Sequence, residues 1–328
     1  MIIIRTPMRV PLGGGGTDLS SYYSRFGCRM VSAAIDKYMY IVVNRRVCDD
    51  MIKINYSKTE FVNDVAQIHH PLVREALDQL GIRGAIEISS IADAPAGTGM
   101  GSSSCFIVGL LNALHVLKGE HIPRHTLAEE ACHIEIDILK KPIGKQDQYM
   151  AAFGGITVLE IDKVGKVTVR PAKISHEAIR ELESNLLLYY TGINRENLDI
   201  LSHQKSATER DEKAVVEKLH VIREVGLEIL DALEKEDLGK FGALLDVHWR
   251  TKRGLSAEVS NTRIDAWYEL AKKNGAIGGK IMGAGGGGFF VFYCEERRSD
   301  LRKALRAAGL REIPYKFDME GSRVLANF

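Results

Sequence analysis

Three glycines and three consecutive serines lie within one segment, Pro95–Ser104, with the sequence PAGTGMGSSS. The glycines are Gly97, Gly99 and Gly101, and the serines are Ser102, Ser103 and Ser104. Glycine lets the backbone approach a ligand closely and adopt positive φ, and serine hydroxyls can donate to phosphate or coordinate Mg²⁺. An apolar helical pattern follows, and the start of a helix directs unpaired N–H groups at an anion. The segment therefore predicts a phosphate-binding loop, with a tight turn and a serine N-cap as the alternative.

Two further glycine runs lie far away in the chain. PLGGGGTD at Pro11–Asp18 follows a β-like segment, and KIMGAGGGG at Lys280–Gly288 precedes the apolar segment Phe289–Tyr293. Consecutive glycines cost folding entropy, so such runs persist mainly where the backbone must come close to another group. Flexible linkers are the alternative, but the neighbouring residues have apolar patterning rather than the polar composition of linkers.

The three segments, in this order, resemble the three motifs of the GHMP small-molecule kinases, the superfamily of galactokinase, homoserine kinase, mevalonate kinase and phosphomevalonate kinase. The central motif there ends in Gly-Leu-Gly-Ser-Ser, and this chain departs from it only by Met100, an apolar residue of similar volume. The resemblance extends over essentially the whole chain. Within the superfamily, PLGGGGTDL, YSKTE, HPLVREAL and PIGKQDQYMAAFGG are similar to the bacterial D-glycero-D-manno-heptose 7-phosphate 1-kinases.

The resemblance implies an α+β fold of two domains with the active site between them. The N-terminal domain, residues 1–178, would be ribosomal-S5-like and bind ATP and sugar, and the C-terminal domain, residues 179–328, would be ferredoxin-like. ATP would bind at Pro95, Gly97, Gly99, Gly101, Ser102, Ser103 and Ser104. Mg²⁺ would take oxygens from Ser103 and Glu135, because Glu135 lies twelve residues before Asp147, close to the spacing in the superfamily.

The resemblance also assigns the catalytic residues. Asp147 matches the aspartate that deprotonates or orients the acceptor hydroxyl, and Arg9 matches the arginine near that hydroxyl. The structural alternatives are a solvated helix face for Glu135, a turn cap for Asp147 and an ion pair at a sheet edge for Arg9. Lys145, two residues before Asp147, would either lower the pKa of the Asp147 carboxyl by its charge or be exposed.

Substrate binding is assigned by the same resemblance to two glycine-rich segments and the aspartates near them. These residues are Gly14, Gly15, Gly16, Thr17, Asp18, Asp147, Gly283 and Gly285. Asp18 matches a sugar-binding aspartate of galactokinase, and its alternative is an Asx-turn or the N-cap of a helix beginning near Leu19. Galactokinase has a glutamate and a histidine before that aspartate where this chain has glycines, which argues against a galactose-like substrate. Basic residues conceivable as partners of a substrate phosphate are Arg45, Arg46, Arg250, Lys252 and Arg253, although isolated basic residues are mostly solvated.

The composition is that of a globular protein with small partners. The chain has 328 residues, of which 45% are hydrophobic and 27% charged, and its formal net charge is +1. Such a charge argues against binding nucleic acid or a membrane surface through bulk positive charge. The five cysteines are scattered without CxxC spacing, so neither a disulfide framework nor a zinc site is indicated and a cytoplasmic location is expected.

Apolar patterning interleaves helices and strands along the chain. Strands are predicted at residues 2–5, 38–45, 85–91, 156–160, 167–170, 186–190, 289–293 and near 313–318. Helices are predicted at residues 70–80, 102–117, 126–139, 208–233, 264–274 and 299–308. This pattern is α+β, with a domain boundary at about residues 173–183.

The sequence and its resemblance therefore predict ATP- and Mg²⁺-dependent phosphorylation of the anomeric hydroxyl of a sugar phosphate. The favoured acceptor is D-glycero-D-manno-heptose 7-phosphate, converted to the 1,7-bisphosphate for nucleotide-activated heptose synthesis. Two alternatives stay open, a kinase for an unphosphorylated sugar such as L-fucose and a non-catalytic GHMP-fold sugar sensor. The presence of Arg9, Glu135 and Asp147 together argues against the sensor. The predicted partners are the sugar phosphate and ATP, without nucleic acid or membrane, and the oligomeric state is left open between monomer and homodimer.

Overall fold

The computed structural model describes residues 1–193 and 200–328. The strands in these ranges are β1 (Ile2–Gly13), β2 (Cys28–Arg45), β3 (Ile52–Asn55), β4 (Thr59–Val62), β5 (Ile86–Ala92), β6 (Ile156–Ile161), β7 (Val167–Pro171), β8 (Leu186–Tyr190), β9 (Gly278–Ile281), β10 (Phe289–Tyr293), β11 (Arg311–Glu312) and β12 (Arg323–Asn327). The α-helices are α1 (Ser20–Phe26), α2 (Pro71–Gln79), α3 (Ser102–Leu117), α4 (Arg124–Cys132), α5 (Gln146–Phe153), α6 (His176–Asn185), α7 (Ile200–Glu209), α8 (Lys213–Glu234), α9 (Leu238–Arg253), α10 (Thr262–Lys273) and α11 (Arg298–Ala307). A 3₁₀ turn forms at Val65–Gln67 and a π-helix at His133–Ile138.

The larger sheet places β1 and β2 at the centre of the molecule. Its strand order among the described residues is β12-β1-β2-β5-β3-β4, and the hairpin β6-β7 joins it through β2. The helix α3 packs against β1 and β2. Its sequence is apolar on all sides, which is typical of a helix buried all round, and nearly all of its residues are buried.

The smaller sheet has the order β11-β8-β10-β9. Its apolar core includes Trp249, Tyr268, Phe290 and Phe292. The paired helices α8 and α9 connect the two sheets, because α8 packs on β1 and β2 while α9 packs on β9. The last strand, β12, returns to the larger sheet and pairs antiparallel with β1, so the two ends of the chain lie beside each other.

The α+β class is confirmed, while the elements predicted at residues 208–233 and near 313–318 differ from the structure. The helix predicted at residues 208–233 is divided by a turn in which Asp211 adopts a φ of 55°, and the prediction missed it because the spacing of Ala207 and Val215 continues the helical period across the turn. The strand predicted near residues 313–318 forms only an isolated bridge between Ile35 and Phe317. Pro314, which has no N–H to donate to a ladder, lies within it.

No helix within the described ranges combines the length and the apolar character needed to cross a lipid bilayer. The cysteines are Cys28, Cys48, Cys105, Cys132 and Cys294, all free and all buried except Cys48. Burial raises the pKa of the Cys132 thiol well above its ordinary value. Such thiols are unreactive packing groups.

Candidate active site

Two cavities adjoin at the predicted phosphate-binding loop. The first, of about 960 Å³, is lined by every predicted ATP-binding residue and is called here the loop pocket. The second, of about 300 Å³, is lined by Arg9, Asp18, Lys252 and Lys280 among others and is called the basic pocket. Asp147 lines both cavities. A molecule in each pocket would therefore meet the other at this carboxylate.

The predicted phosphate-binding loop leads directly into α3. Gly101 precedes the helix with a φ of 79°, a left-handed conformation that favours glycine. A side chain there would also press on Asp147, because a Cβ at Gly101 would lie 3.3 Å from the Asp147 Cγ. The Ser102 hydroxyl in the first turn is buried and accepts or donates no hydrogen bond among the described residues. The loop thus presents a helix N-terminus and an available hydroxyl to the loop pocket.

Arg9 of β1 and Asp147 of α5 form a bidentate ion pair. The Arg9 Nε donates to Asp147 Oδ1 at 2.8 Å, and the Arg9 Nη2 donates to Oδ2 at 3.0 Å. The Arg9 Nη1 donates to the Gly99 carbonyl, which fixes the guanidinium against the loop. Arg9 is 5% exposed and Asp147 is 27% exposed. The pair is therefore rigid on its arginine side and accessible on its carboxylate side.

Asp18 holds the helix that carries Asp147. Its Oδ2 accepts a hydrogen bond from the Gln146 backbone N–H at 3.1 Å, at the first residue of α5. Gly144 permits this approach, since a Cβ there would lie 2.0 Å from the Asp18 Oδ2. Asp18 does not cap α1, whose N-cap residue is Leu19. Burial and then the nearby Asp147 carboxylate raise the pKa of Asp18, so the two acids lie close together.

Glu135 lies on the π-helix and is completely buried. Its carboxylate accepts hydrogen bonds from the Ser103 and Ser104 hydroxyls and the Gln148 amide, each at 2.7 Å, and from the Lys141 ammonium at 2.9 Å. The alternative of a solvated helix face is therefore wrong. The prediction of an uninterrupted α-helix at residues 126–139 missed the π-helix, whose wider turn is common at functional sites.

The oxygens of Ser103 and Glu135 already hold one cation. The Lys141 ammonium donates to the Ser103 Oγ at 2.9 Å as well as to Glu135. No cluster of three or more His, Cys, Asp or Glu side chains able to hold a metal occurs in the part of the chain described. Because Mg²⁺ is usually bound by one or two carboxylates together with substrate phosphates, a single carboxylate and a hydroxyl beside the loop fit this ion.

The basic pocket contains a cluster of residues that the sequence did not bring together. His248 and Lys252 lie on α9, a helix absent from the predicted elements, and Lys280 lies on β9. All three are buried. The Lys280 Nζ donates to the Leu12 carbonyl at 2.8 Å, and the Lys252 Nζ donates to the Gly283 carbonyl. Burial, and then the neighbouring lysines, lower the pKa of His248 well below its usual value, and burial also lowers that of Lys280.

The other predicted substrate residues divide into two groups. Gly15, Gly16, Asp18 and Gly283 line the basic pocket. Gly14, Thr17 and Gly285 do not line it: Gly14 packs on the Arg29 carbonyl, Thr17 is buried and donates to the Gly14 carbonyl at 2.7 Å, and Gly285 packs on Val259. These three predicted residues therefore do not form the surface of the basic pocket.

Most of the basic residues proposed from the sequence have other partners. Lys145 pairs with Glu129 at 3.0 Å, so the cation beside Asp147 is Arg9. Those pointing elsewhere are Arg45, which donates to the Leu117 carbonyl, Arg46, paired with Asp49, Arg250, paired with Asp246, and Arg253, paired with Asp265. Of the five residues considered for a substrate phosphate, the basic pocket contains Lys252.

Comparison with known proteins gives matches over both halves of the chain. Residues 61–155 match the family model described as the GHMP kinases N terminal domain, and residues 229–310 match the GHMP kinases C terminal model. The chain is 31% identical to the D-glycero-alpha-D-manno-heptose 7-phosphate kinase of Campylobacter jejuni, over 97% of this chain and 96% of that protein. It is 27% identical to the galactokinase of Pyrococcus furiosus, over 96% and 94% of the two chains.

Solved structures give the same picture. The crystal structure of a D-glycero-D-manno-heptose 1-phosphate kinase from Bacteroides thetaiotaomicron superposes with a TM-score of 0.82 at 25% identity, covering 100% of both chains. The galactokinase of Lactococcus lactis complexed with galactose superposes with a TM-score of 0.78 at 18% identity, over 98% of this chain and 94% of that one. The latter shows a likeness of fold.

Proposed function

Because the chain belongs to the GHMP kinases, we propose that it transfers the terminal phosphoryl group of ATP to the anomeric hydroxyl of D-glycero-D-manno-heptose 7-phosphate. The likeness to the heptose 7-phosphate kinase over the full length of both chains supports this acceptor. The observation that carries the proposal is the junction of the two pockets at Asp147. In the division that we propose, residues 1–178 form the loop pocket, and residues 179–328 supply His248, Lys252 and Lys280 to the basic pocket.

The lining of the loop pocket suits both parts of ATP. The N-terminus of α3 and the Ser102 hydroxyl favour an anion at the loop. Aromatic rings also line the pocket, with the His70 ring 4.8 Å from those of Tyr56 and Phe106, and suit a flat nucleobase. We place the reaction in the cytoplasm, because ATP is its phosphoryl donor and the cysteines are free thiols.

We assign the metal to Ser103 and Glu135. A bound Mg²⁺ would neutralise charge on the phosphates during transfer. The protein contributes the orientation of these oxygens, because Ser104 and Gln148 hold the Glu135 carboxylate from its other side. The Lys141 ammonium adds a second positive charge at the same place.

Asp147 and Arg9 act on the acceptor hydroxyl. The transition state of phosphoryl transfer is loose, so catalysis depends mostly on positioning and on compensating charge. Both oxygens of Asp147 accept from Arg9 and retain lone pairs that can accept the anomeric O–H. Arg9 keeps the carboxylate in one orientation and places a fixed positive charge beside the reacting groups.

A coupled assay of ADP release with Mg²⁺ and ATP tests this function on a panel of hexoses, heptoses and their terminal phosphates. We expect D-glycero-D-manno-heptose 7-phosphate to have the highest kcat/KM and the product to carry phosphate on the anomeric oxygen, as read by ³¹P NMR. A preference for L-fucose or another neutral sugar would support the simple sugar kinase instead. Sugar binding without ADP release from any acceptor would support the sensor.

A further inference from the structure

We infer that Lys252, Lys280 and His248 form the subsite for the phosphate group of the sugar phosphate acceptor. This inference rests on the proposed function, because it assigns one end of the same substrate. All three side chains line the basic pocket, and none of them lines the loop pocket. An anion that they bind therefore arrives with the acceptor and not with the nucleotide.

The charge around Lys280 calls for an anion. Lys280 is 1% exposed, and its ammonium donates to a neutral carbonyl, that of Leu12. Among the described residues, no carboxylate forms an ion pair with it, and the charged groups that act on it are Lys252 and Arg9, both cations. Burying a cation without a counter-charge is costly, and a phosphate dianion would supply that charge.

His248 points to the same ligand independently. It is 1% exposed, and within the described ranges neither of its ring nitrogens has a hydrogen-bond partner. Buried polar side chains nearly always have one, so an orphaned ring in the wall of a pocket indicates a bound group. Its imidazole is held neutral by burial and by the two lysines, and a neutral imidazole donates one N–H, as a phosphate oxygen requires.

The acidic residues of the pocket then fix the direction of the substrate. Asp18 and Asp147 repel a phosphate and accept hydrogen bonds from sugar hydroxyls. The lysine ammonium groups attract a phosphate and donate hydrogen bonds to its oxygens. A sugar phosphate in a cavity of about 300 Å³ would therefore place its phosphate at α9 and β9 and its hydroxyls at the acids. This arrangement leaves the anomeric end toward Asp147.

The helix α9 also carries a matched control. Arg250 lies two residues before Lys252, is 65% exposed and pairs with Asp246 at 2.8 Å, outside the pocket. Lys252→Met and Arg250→Met each remove one positive charge and leave an unbranched side chain on the same helix. Only the first of them removes a donor from the proposed subsite.

The test measures kcat/KM for D-glycero-D-manno-heptose 7-phosphate and for unphosphorylated D-glycero-D-manno-heptose in the wild-type protein and both variants. We expect Lys252→Met to lower kcat/KM for the phosphorylated sugar by about 10- to 100-fold, as for one lost charge-assisted hydrogen bond. The value for the neutral sugar should change by less than about twofold, and Arg250→Met should leave both values unchanged. His248→Gln, an uncharged substitution that retains a donor, should lower the phosphorylated value less than Lys252→Met does.

An equal fall for the two sugars would overturn the inference, because the lysine would then serve the transferred phosphoryl group or the fold. No fall for either sugar, or equal kcat/KM for the two sugars in the wild-type protein, would overturn it as well. In these cases the enzyme is still a sugar kinase, so failure of the subsite is distinct from failure of the function.

If the wild-type protein phosphorylates neither sugar, the proposed function fails. A binding measurement then tests the subsite independently of the reaction. Inorganic phosphate is titrated calorimetrically with the loop pocket filled by the non-hydrolysable ATP analogue AMP-PNP. Binding to wild type and Arg250→Met, lost in Lys252→Met, supports the subsite. Equal binding to all three proteins, or to none, rejects it. Thermal unfolding midpoints confirm that each variant is folded.

Discussion

Glu135 and His248 are both buried polar side chains, but they line different pockets, Glu135 the loop pocket and His248 the basic pocket, and their surroundings differ. Glu135 accepts hydrogen bonds from two hydroxyls, an amide and an ammonium. His248 has no hydrogen-bond partner among the described residues, and the charged side chains that lower its pKa, after burial, are lysines. The protein thus satisfies the Glu135 carboxylate by itself, whereas in the subsite that we infer the His248 ring is left for a ligand to satisfy.

Because of this difference, we expect the Glu135 oxygens to be held in place without a ligand and the His248 ring to gain its partners only when a ligand binds. The oxygens around Glu135 are in position before any cation other than Lys141 arrives, so little rearrangement accompanies its binding. In the basic pocket, burial and the cations Lys252 and Arg9 lower the pKa of Lys280, and an anionic ligand would favour its charged form. Binding of the phosphate group of the acceptor should therefore stabilise the folded protein. The stabilisation should be larger than the same contacts would give in a pocket without buried positive charge.

The largest effect is expected where the two halves meet. Asp147→Asn should lower kcat by about 100-fold or more. The amide oxygen is a weaker hydrogen-bond acceptor for the hydroxyl of the sugar, and the substitution leaves Arg9 without its counter-charge. ATP affinity, measured by equilibrium titration, should change little. Asp300→Asn is the control, since Asp300 is a half-exposed partner of Arg297 on α11. Turnover near the wild-type value in Asp147→Asn would show that this carboxylate does not act on the acceptor.

The second prediction concerns the oxygens of Glu135 and Ser103, to which we assign the metal. Glu135→Gln should raise the Mg²⁺ concentration for half-maximal activity by about 10-fold or more, because an amide oxygen replaces a charged ligand. Ser103→Ala should raise it less, since it removes a neutral oxygen. Both are measured by Mg²⁺ titration at saturating ATP and sugar. Unchanged titrations in both variants would mean that this oxygen pair does not bind the metal.

The third prediction concerns Lys141, whose ammonium donates to oxygens of the two residues, Ser103 and Glu135, to which we assign the metal. Lys141→Met should tighten binding of Mn²⁺, measured by electron paramagnetic resonance without nucleotide, by about 3- to 10-fold, because a competing cation is removed. The exposed neighbour Lys140 provides the control variant Lys140→Met. Weaker Mn²⁺ binding in Lys141→Met would show that the lysine orders the oxygens instead of competing for them.

The smallest effect is expected in the pH dependence of stability. The pKa of His248 is lowered in the fold, so the unfolded chain takes up its proton first as the pH falls below about 6.5. The stability associated with its neutral form is present above that pH and is lost below it, by about 1.4 kcal/mol near pH 5.5. Urea unfolding from pH 7.5 to 5.5 should show a weaker pH dependence in His248→Gln than in wild type.

His115 supplies the opposite case. Hydrogen bonds to Glu130 and Glu120 raise its pKa, so its stabilisation is present at low pH and is lost as the pH rises through the raised value. His115→Gln should therefore remove stability chiefly at acidic pH. If both histidine variants change the pH profile in the same direction, the contrast between the two environments is wrong.

Local patterns were enough for part of the fold. The bounds predicted for α3, β8 and β10 agree with the structure, because long apolar runs bounded by glycine or polar residues define such elements locally. The turn at Asp211 and the π-helix were missed, since each changes the backbone without interrupting the apolar spacing. The return of β12 to β1 was also missed, because strand pairing between the two ends of the chain leaves no local pattern.

The family could be identified from the amino-acid sequence, which also supplied the predictions of a phosphate-binding loop and of the residues proposed for catalysis. These depend on glycines, serines and single charged residues whose type and order have few other uses. Only the tertiary structure showed which basic residues line the pocket that we propose for the acceptor. His248 and Lys252 share a helix with the exposed Arg250, and Lys280 comes from a separate strand, so nothing in their spacing distinguishes a buried charge from a solvated one. Burial is a property of the packed chain. In the subsite that we infer, burial is what suits these side chains to bind an anion.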